Sequence, residues 1–305
     1  MRHIEQLQRV YRRSGSLGNF VTAAKEELFV RAWSSAKVRR ISGPFVSGNY
    51  NPGRWVFLVG CYNSGTTILQ KILNAHPEIA GLPREGVRFT QILSNLEEHG
   101  HHMIWADDFR DFIEPDFPDD VAFNQIKKDW AVFWKNDRKA FLDKSIANTA
   151  RISWLNRVFP NAFFIGIHRN GYCVSEGLQR RATPPGWLVD KTGNSRYPLE
   201  TIANQWVCAN EMMLDQFSGL PNSMLVGFED FIADPVDTLV KAFEQLGVDS
   251  GSVSFNSGKL IIHGKEFILH DPNPASLQRF DDSSKAVVAP LLRSTMLKLG
   301  YEGAV

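Results

Sequence analysis

The chain has 305 residues, 43% hydrophobic and 22% charged, which is enough apolar material for one large core or two modest ones in a globular fold. Lys plus Arg number 34 against 33 for Asp plus Glu, so the net charge of +1 excludes a general attraction for nucleic acid or an anionic membrane. Any anion must be gathered locally. Cys61, Cys173 and Cys208 are odd in number and too widely spaced for a CxxC metal or redox motif, which points to a reducing compartment without disulfides. The N-terminus lacks the apolar run of a signal peptide and no stretch approaches the roughly 20 apolar residues that span a bilayer, so the cytoplasm is the expected location.

Residues 1–44 are locally basic, with Arg2, Arg9, Arg12, Arg13, Lys25, Arg31, Lys37, Arg39 and Arg40 against Glu5, Glu26 and Glu27. This pattern reads as a solvated helical extension, with a membrane-surface or partner-docking segment as the alternative. The turn-forming cluster Ser42-Gly-Pro44 and Ser47-Gly-Asn-Tyr-Asn-Pro-Gly53 reads as a linker, dividing the chain into a basic extension, 1–53, and a catalytic domain, 54–305. Trp55-Val-Phe-Leu-Val-Gly60 has the continuous apolar, β-branched pattern of a strand buried on both faces. Ile68-Leu-Gln-Lys-Ile-Leu-Asn-Ala75 has helical spacing and stops before His76-Pro77. A second unit follows as a helix over 151–159 and a strand over 162–167, and a third as a strand over 224–228 and a helix over 235–246 ended by Gly247. Alternating strands and helices predict a three-layer α/β/α fold around a central, mainly parallel sheet.

Between the first strand and helix, Gly60-Cys-Tyr-Asn-Ser-Gly-Thr-Thr67 has glycines that let successive N–H groups turn inward, ahead of a helix N-terminus that favours anions. Hydroxyls of Ser64, Thr66 and Thr67 add donors. The spacing mimics a Walker A phosphate loop, but Thr66 stands where that motif requires lysine. Magnesium-assisted ATP or GTP hydrolysis of the usual kind is therefore not expected.

With the residues that follow, this loop resembles the sulfotransferases that use 3′-phosphoadenosine-5′-phosphosulfate (PAPS), especially the branch holding bacterial enzymes and the tyrosylprotein sulfotransferases. Blocks in the family's order run from about Trp55 to Glu302. The resemblance implies that the loop residues Tyr62, Asn63, Ser64, Gly65, Thr66 and Thr67 hold the donor's 5′-phosphosulfate. The family usually carries Arg or Lys where this chain has Asn63. In Phe164-Ile-Gly-Ile-His-Arg-Asn-Gly-Tyr-Cys-Val-Ser-Glu-Gly177, the resemblance makes Arg169 the clamp on the 3′-phosphate, which a planar guanidinium can grip in a fork. The serine that the family commonly places eight residues later is Gly177 here, and Ser175 is the nearest hydroxyl.

Leu142-Asp-Lys-Ser-Ile-Ala-Asn-Thr-Ala-Arg151 is similar to the family's lysine-bearing segment, so Lys144 would offset charge developing on the transferred group or the departing phosphate; a solvated lysine is the alternative. In Gly81-Leu-Pro-Arg-Glu-Gly-Val-Arg88, Glu85 stands where relatives carry the base that activates the acceptor, with solvated carboxylate as the alternative, and Arg84 and Arg88 would help hold an anion. Val226-Gly-Phe-Glu-Asp-Phe-Ile-Ala-Asp-Pro235 supports the family resemblance, with Glu229 and Asp230 structural. The segment 273–280, ahead of a terminal helix, resembles the region that closes over the nucleotide, with Ser276 and Arg279 as donor contacts.

His99, His101 and His102 have no partner ligands at metal-binding spacing and read as a polar loop; no metal is expected. Cys61 has no activating base nearby in sequence, which argues against a nucleophile. The tryptophans from Trp105 to Trp154 read as core or acceptor-cleft lining. The implied activity is transfer of a sulfuryl group from PAPS to an acceptor hydroxyl or amine, releasing 3′,5′-ADP. The alternatives are an ATP-dependent small-molecule kinase on a degenerate phosphate loop and a nucleotide-binding relative with impaired catalysis. The acceptor, whether carbohydrate, lipid, small metabolite or peptide, would be chosen by variable loops such as 93–123 and 183–196.

Overall fold

The computed structural model describes residues 17–46, 52–95, 102–106, 113–134 and 138–302. The basic stretch 1–16, the turn cluster 47–51, and His99 and His101 lie outside the described residues. Two helices come first, α1 (Leu17–Trp33) and α2 (Ala36–Val46), then β1 (Arg54–Gly60), α3 (Thr66–Leu73) and a short β2 (Ile79–Gly81). Helix α4 (Asp119–Trp130) leads to β3 (Ala140–Lys144), α5 (Ile152–Val158) and β4 (Ala162–His168). The chain continues through α6 (Gly171–Arg181), α7 (Gly186–Thr192), α8 (Leu199–Phe217), β5 (Ser223–Gly227), α9 (Phe228–Ala233) and α10 (Pro235–Leu246). It ends with a hairpin sheet, β6 (Val253–Asn256), β7 (Lys259–Ile262) and β8 (Lys265–Ile268), followed by α11 (Asn273–Arg279) and α12 (Asp282–Lys298).

The five-stranded sheet has the order β2-β3-β1-β4-β5, and all four pairings are parallel. Strand β1 sits at the point where the order reverses, so the crevice beyond its carboxyl end is the natural ligand position in an open α/β sheet. In that crevice the ends of the two neighbours of β1 converge. Lys144 closes β3 with Leu58 as its register partner, and Arg169 follows β4, whose Ile167 pairs with Gly60. The strand's side chains alternate between faces. Trp55, Phe57 and Val59 belong to one core cluster, whereas Val56 and Leu58 belong to the other. On the first face the Trp55 and Phe159 rings meet edge to face at 5.0 Å.

Three sequence expectations are corrected. The basic extension is not merely solvated: in α1, Trp33 is 3% exposed and Val30 is buried, both in the core cluster that covers Trp55. Trp33 Nε1 also donates to the Asp129 carbonyl at 2.9 Å, tying α1 to the end of α4. Ser42, Gly43 and Pro44, read as turn residues, lie in the last turns of α2. Strand β5 stops at Gly227, because Phe228 opens α9. The antiparallel sheet β6-β7-β8 was unanticipated, although Ser257-Gly258 and His263-Gly264 both have positive φ at the two central turn residues, as tight hairpins require.

Candidate functional site

Local backbone needs shape the loop between β1 and α3. At Gly60, φ is 145° and a Cβ would stand 2.3 Å from the Ile167 carbonyl oxygen, so only glycine lets the strand end so close to β4. Thr149 Oγ1 accepts from the Gly60 N–H at 2.9 Å and donates to the Gly60 carbonyl at 3.1 Å, which fixes where the loop begins. At its other end Gly65 has φ 95° and a Cβ there would enter the Phe228 ring at 2.5 Å. Asn63 has φ 63°, a left-handed conformation that asparagine tolerates better than a bulkier residue. The loop thus delivers the N-terminus of α3, whose first N–H groups have no intrahelical acceptor, to the sheet's carboxyl edge.

This edge borders a cavity of about 550 Å³. Its lining includes Tyr62, Asn63, Gly65, Thr66, Thr67, Glu85, Lys144, Arg169, Gly177, Ser276 and Arg279. Residues scattered over more than 200 positions of sequence therefore share one wall. Ser64 and Ser175 are not part of the lining: both are fully buried, with side-chain hydroxyls that find no partner among the described residues. Ser175 lies on the inner side of α6, and the reading of it as a replacement phosphate ligand is corrected. Arg84 also points elsewhere, pairing with Glu27 of α1, and neither Arg84 nor Arg88 lines the cavity.

Arg169 is 7% exposed and braced on every side but one. Its Nε donates to Asn273 Oδ1 at 2.7 Å, its Nη1 donates to the Asn63 carbonyl at 2.9 Å, and its guanidinium carbon lies 4.9 Å from the centre of the Phe228 ring. Its Nη2 is buried with no partner among the described residues. Burial lowers the pKa of the guanidinium, so the site gains from an anion that would restore the lost solvation. Lys71, Lys144, Arg180, Arg181 and Arg279 join Arg169 around the cavity, against Glu85 and Glu176. A chain almost neutral overall has concentrated its positive charge here.

Glu85 and Lys144 form an ion pair, Nζ to Oε1 at 2.8 Å, with side chains 18% and 10% exposed. Their relative position is set from below by Asp143. The Asp143 carboxylate accepts from the Gly86 N–H at 2.8 Å, from Ser145 Oγ at 2.9 Å and from Asn148 Nδ2 at 2.8 Å, and Trp130 Nε1 donates to the Gly86 carbonyl. Burial pushes Asp143 up to about 6. Cys61 is fully buried and its thiol is pushed up to about 12, which fits its exclusion as a nucleophile.

Several contributors escaped sequence reasoning. Arg181 donates from Nη1 to Asn63 Oδ1 at 2.7 Å, so a guanidinium stands at the loop position that lacks its own cation. The visible signal was the four-residue spacing of Gly177 and Arg181, which places both on one helix face. Gly177 makes room for this contact, since a Cβ there would lie 3.1 Å from Asn63 Cγ. Glu176 was also missed. Burial raises its pKa, but hydrogen bonds from Arg279, Arg180 and Ser276 outweigh that and hold it down to about 2. Arg279 is thereby anchored at 2.8 Å to Glu176, with Nη2 on Ser276 Oγ at 3.2 Å.

A protein-tyrosine sulfotransferase of Drosophila melanogaster is 24% identical over 248 residues, covering 80% of this chain and 46% of that protein, so the chain spans about half the length of the curated relative it matches. Among solved structures, a sulfotransferase from Alicyclobacillus acidocaldarius is 18% identical with a TM-score of 0.46, covering 82% of this chain and 96% of its own. The sulfotransferase domain of a Synechococcus olefin synthase is 20% identical with a TM-score of 0.43, covering 67% and 76%. Overlaps this partial carry no weight beside the sequence profile, which matches residues 55–251 and so takes in the loop, Glu85, Lys144, Arg169 and α6. By that match the chain belongs to the sulfotransferase family.

Proposed function

We propose that this protein transfers a sulfuryl group from PAPS to an acceptor hydroxyl or amine and releases 3′,5′-ADP. The observation that carries the reading is that Arg169, whose buried Nη2 has no partner among the described residues, lines the same cavity as the first residues of α3: one donor set for each charged end of a bisphosphorylated adenosine. The loop 62–67 cradles the 5′ end, Arg169 grips the 3′-phosphate, and Ser276 and Arg279 close the wall. Glu85 accepts the proton of the acceptor hydroxyl or amine as that atom bonds to sulfur. Lys144, held beside it, offsets the charge left on the departing phosphate oxygen. Catalysis of this kind rests on positioning and electrostatics.

The domain of residues 54–305 carries this chemistry. Of residues 1–53, the described helices α1 and α2 precede it in the chain, and the basic sequence there is the segment that would meet a membrane surface or another protein. Among the described residues no helix is long and apolar enough to cross a membrane. The three free cysteines, two of them buried, fit a reducing compartment such as the cytoplasm.

The test compares calorimetric binding of 3′,5′-ADP and ATP, then follows transfer of labelled sulfate from PAPS to a panel of hydroxyl and amine acceptors. Tight binding of 3′,5′-ADP together with transfer is expected. Preference for ATP with phosphoryl transfer would replace this reading with the kinase. Tight donor binding without turnover would make the chain an impaired relative.

A further inference from the structure

The clamp arginine does not orient itself. Asn273 holds Arg169 Nε through its Oδ1 at 2.7 Å, and an amide can keep that oxygen forward only if its nitrogen has an acceptor behind it. Glu229 is that acceptor: its Oε1 takes Asn273 Nδ2 at 2.6 Å and the Asn170 N–H at 3.1 Å. Asn170 in turn caps α6, its Oδ1 accepting from the N–H groups of Tyr172 and Cys173. The other carboxylate oxygen, Oε2, accepts from the Tyr301 hydroxyl at 2.8 Å. Since a carboxylate only accepts, the phenol proton is committed to Glu229, and His168 Nδ1, 2.9 Å from the Tyr301 phenol oxygen, donates to that oxygen. Burial, then Glu229, keep the Tyr301 phenol protonated well above its ordinary range, so it stays a donor.

We infer that Glu229 is a positioning residue for the 3′-phosphate clamp, acting through Asn273 on Arg169, and that Tyr301 locks it from beyond the last helix. The chain thereby ties its own C-terminal turn to the selectivity of a pocket formed by β4 and α6. Cutting the chain of bonds at Glu229 lets the Asn273 amide rotate, which presents Nδ2 to Arg169 Nε, donor against donor. The guanidinium then leaves the orientation in which Arg169 lines the cavity. Contacts at the 5′ end are made by the loop and α3, which Arg169 meets at the Asn63 carbonyl and which keep their own backbone geometry at Gly60 and Gly65. This inference rests on the reading of Arg169 as the 3′-phosphate ligand, and the experiment separates the two.

Affinities for 3′,5′-ADP and 5′-AMP, which differ only in the 3′-phosphate, are measured on the full chain as wild type, Glu229→Met, which keeps the side chain's length and removes both acceptors, and Tyr301→Phe. Wild type is expected to prefer 3′,5′-ADP strongly. Glu229→Met should cut that preference at least tenfold and Tyr301→Phe several-fold, with 5′-AMP affinity within twofold of wild type throughout. In an Arg169→Ala background neither substitution should change the preference further, as a shared route requires. A preserved preference in both variants, or equal weakening of both nucleotides, overturns the inference, because a merely structural role would lower stability without touching the ratio. If Glu229→Met does not fold, Tyr301→Phe decides alone, since it removes a single hydroxyl. A wild-type protein with no preference between the nucleotides instead overturns the reading of Arg169, and the inference with it.

Discussion

Gly177→Ala places a Cβ on α6 at 3.1, 3.2 and 3.3 Å from Asn63 Cγ, Nδ2 and Cβ. Two opposing effects set the outcome. Within a helix, alanine is favoured over glycine by about 0.5–1 kcal/mol, because glycine loses more backbone freedom on folding. Against this, Asn63 must retreat by a few tenths of an ångström, and it is held by Arg181 at 2.7 Å and by a backbone already at φ 63°. Overpacking of this kind costs about 1–3 kcal/mol. The expected net effect is destabilisation of up to about 2 kcal/mol, accompanied by weaker binding of 3′,5′-ADP, since the Asn63 carbonyl is also a brace of Arg169. In an Asn63→Gly background the obstacle disappears and glycine accepts the positive φ. There the same alanine should stabilise by about 0.5–1 kcal/mol, giving a coupling of about 1–3 kcal/mol. Denaturant unfolding of the four proteins at equal m-value measures it. Equal changes in both backgrounds would refute the claim that residues 63 and 177 are one packed unit, and the two departures from the family's usual residues would then be independent.

Glu85→Gln should lower sulfate transfer by about 10²–10⁴-fold while 3′,5′-ADP binding is retained, and unchanged turnover would remove Glu85 from the chemistry. Arg169→Ala removes up to two charge-assisted hydrogen bonds to phosphate worth about 1.5–3 kcal/mol each, so calorimetry should show a loss of about 10²–10⁴-fold for 3′,5′-ADP and little for 5′-AMP. Because burial raises Asp143 from an ordinary 3.8 to about 6, the folded chain binds this proton more tightly than the unfolded one. Its contribution to stability therefore falls as pH rises between those values and is flat above; Asp143→Asn should abolish that slope in denaturation midpoints taken from pH 4 to 7, and an unaltered slope would exclude Asp143 as its source. Trp33→Ala should cost about 3–5 kcal/mol by chemical denaturation if α1 belongs to the core, and a loss near zero would return it to the solvated extension.

Much of this protein was already written locally. The apolar run 55–60, the glycines of the loop and the periodic segment after it specify a buried strand, a tight turn and a helix from neighbouring residues alone, because backbone sterics and 3.6-residue periodicity are short-range properties. The same holds for α10 with its Gly247 stop, φ 70°. Strand β3 was not visible as a strand, since its five residues include Asp143 and Lys144, polar groups that are buried only because the site needs them. The short β2 is paired by β3 rather than by its own sequence.

Within the site, sequence nominated many of the residues that touch the cavity, though it missed Arg181 and Glu176 and included the buried Ser64 and Ser175, and it did not find the residues that aim them. Arg169 could be nominated from its position after a strand. That its guanidinium is fixed by Asn273, by the Asn63 carbonyl and by the Phe228 ring could not, because those partners come from three other segments, the loop after β1, α9 and α11, brought together only when these pack around the end of β4. Likewise Asn63 and Gly177 read as two separate departures from a pattern, and folding makes them one contact with Arg181 beside it. Sequence by itself determined the strand-loop-helix that can receive a phosphate, since each part depends only on nearby residues. Tertiary structure decided which charges face that phosphate and how firmly they are held, since distances between remote side chains exist only after the sheet has assembled.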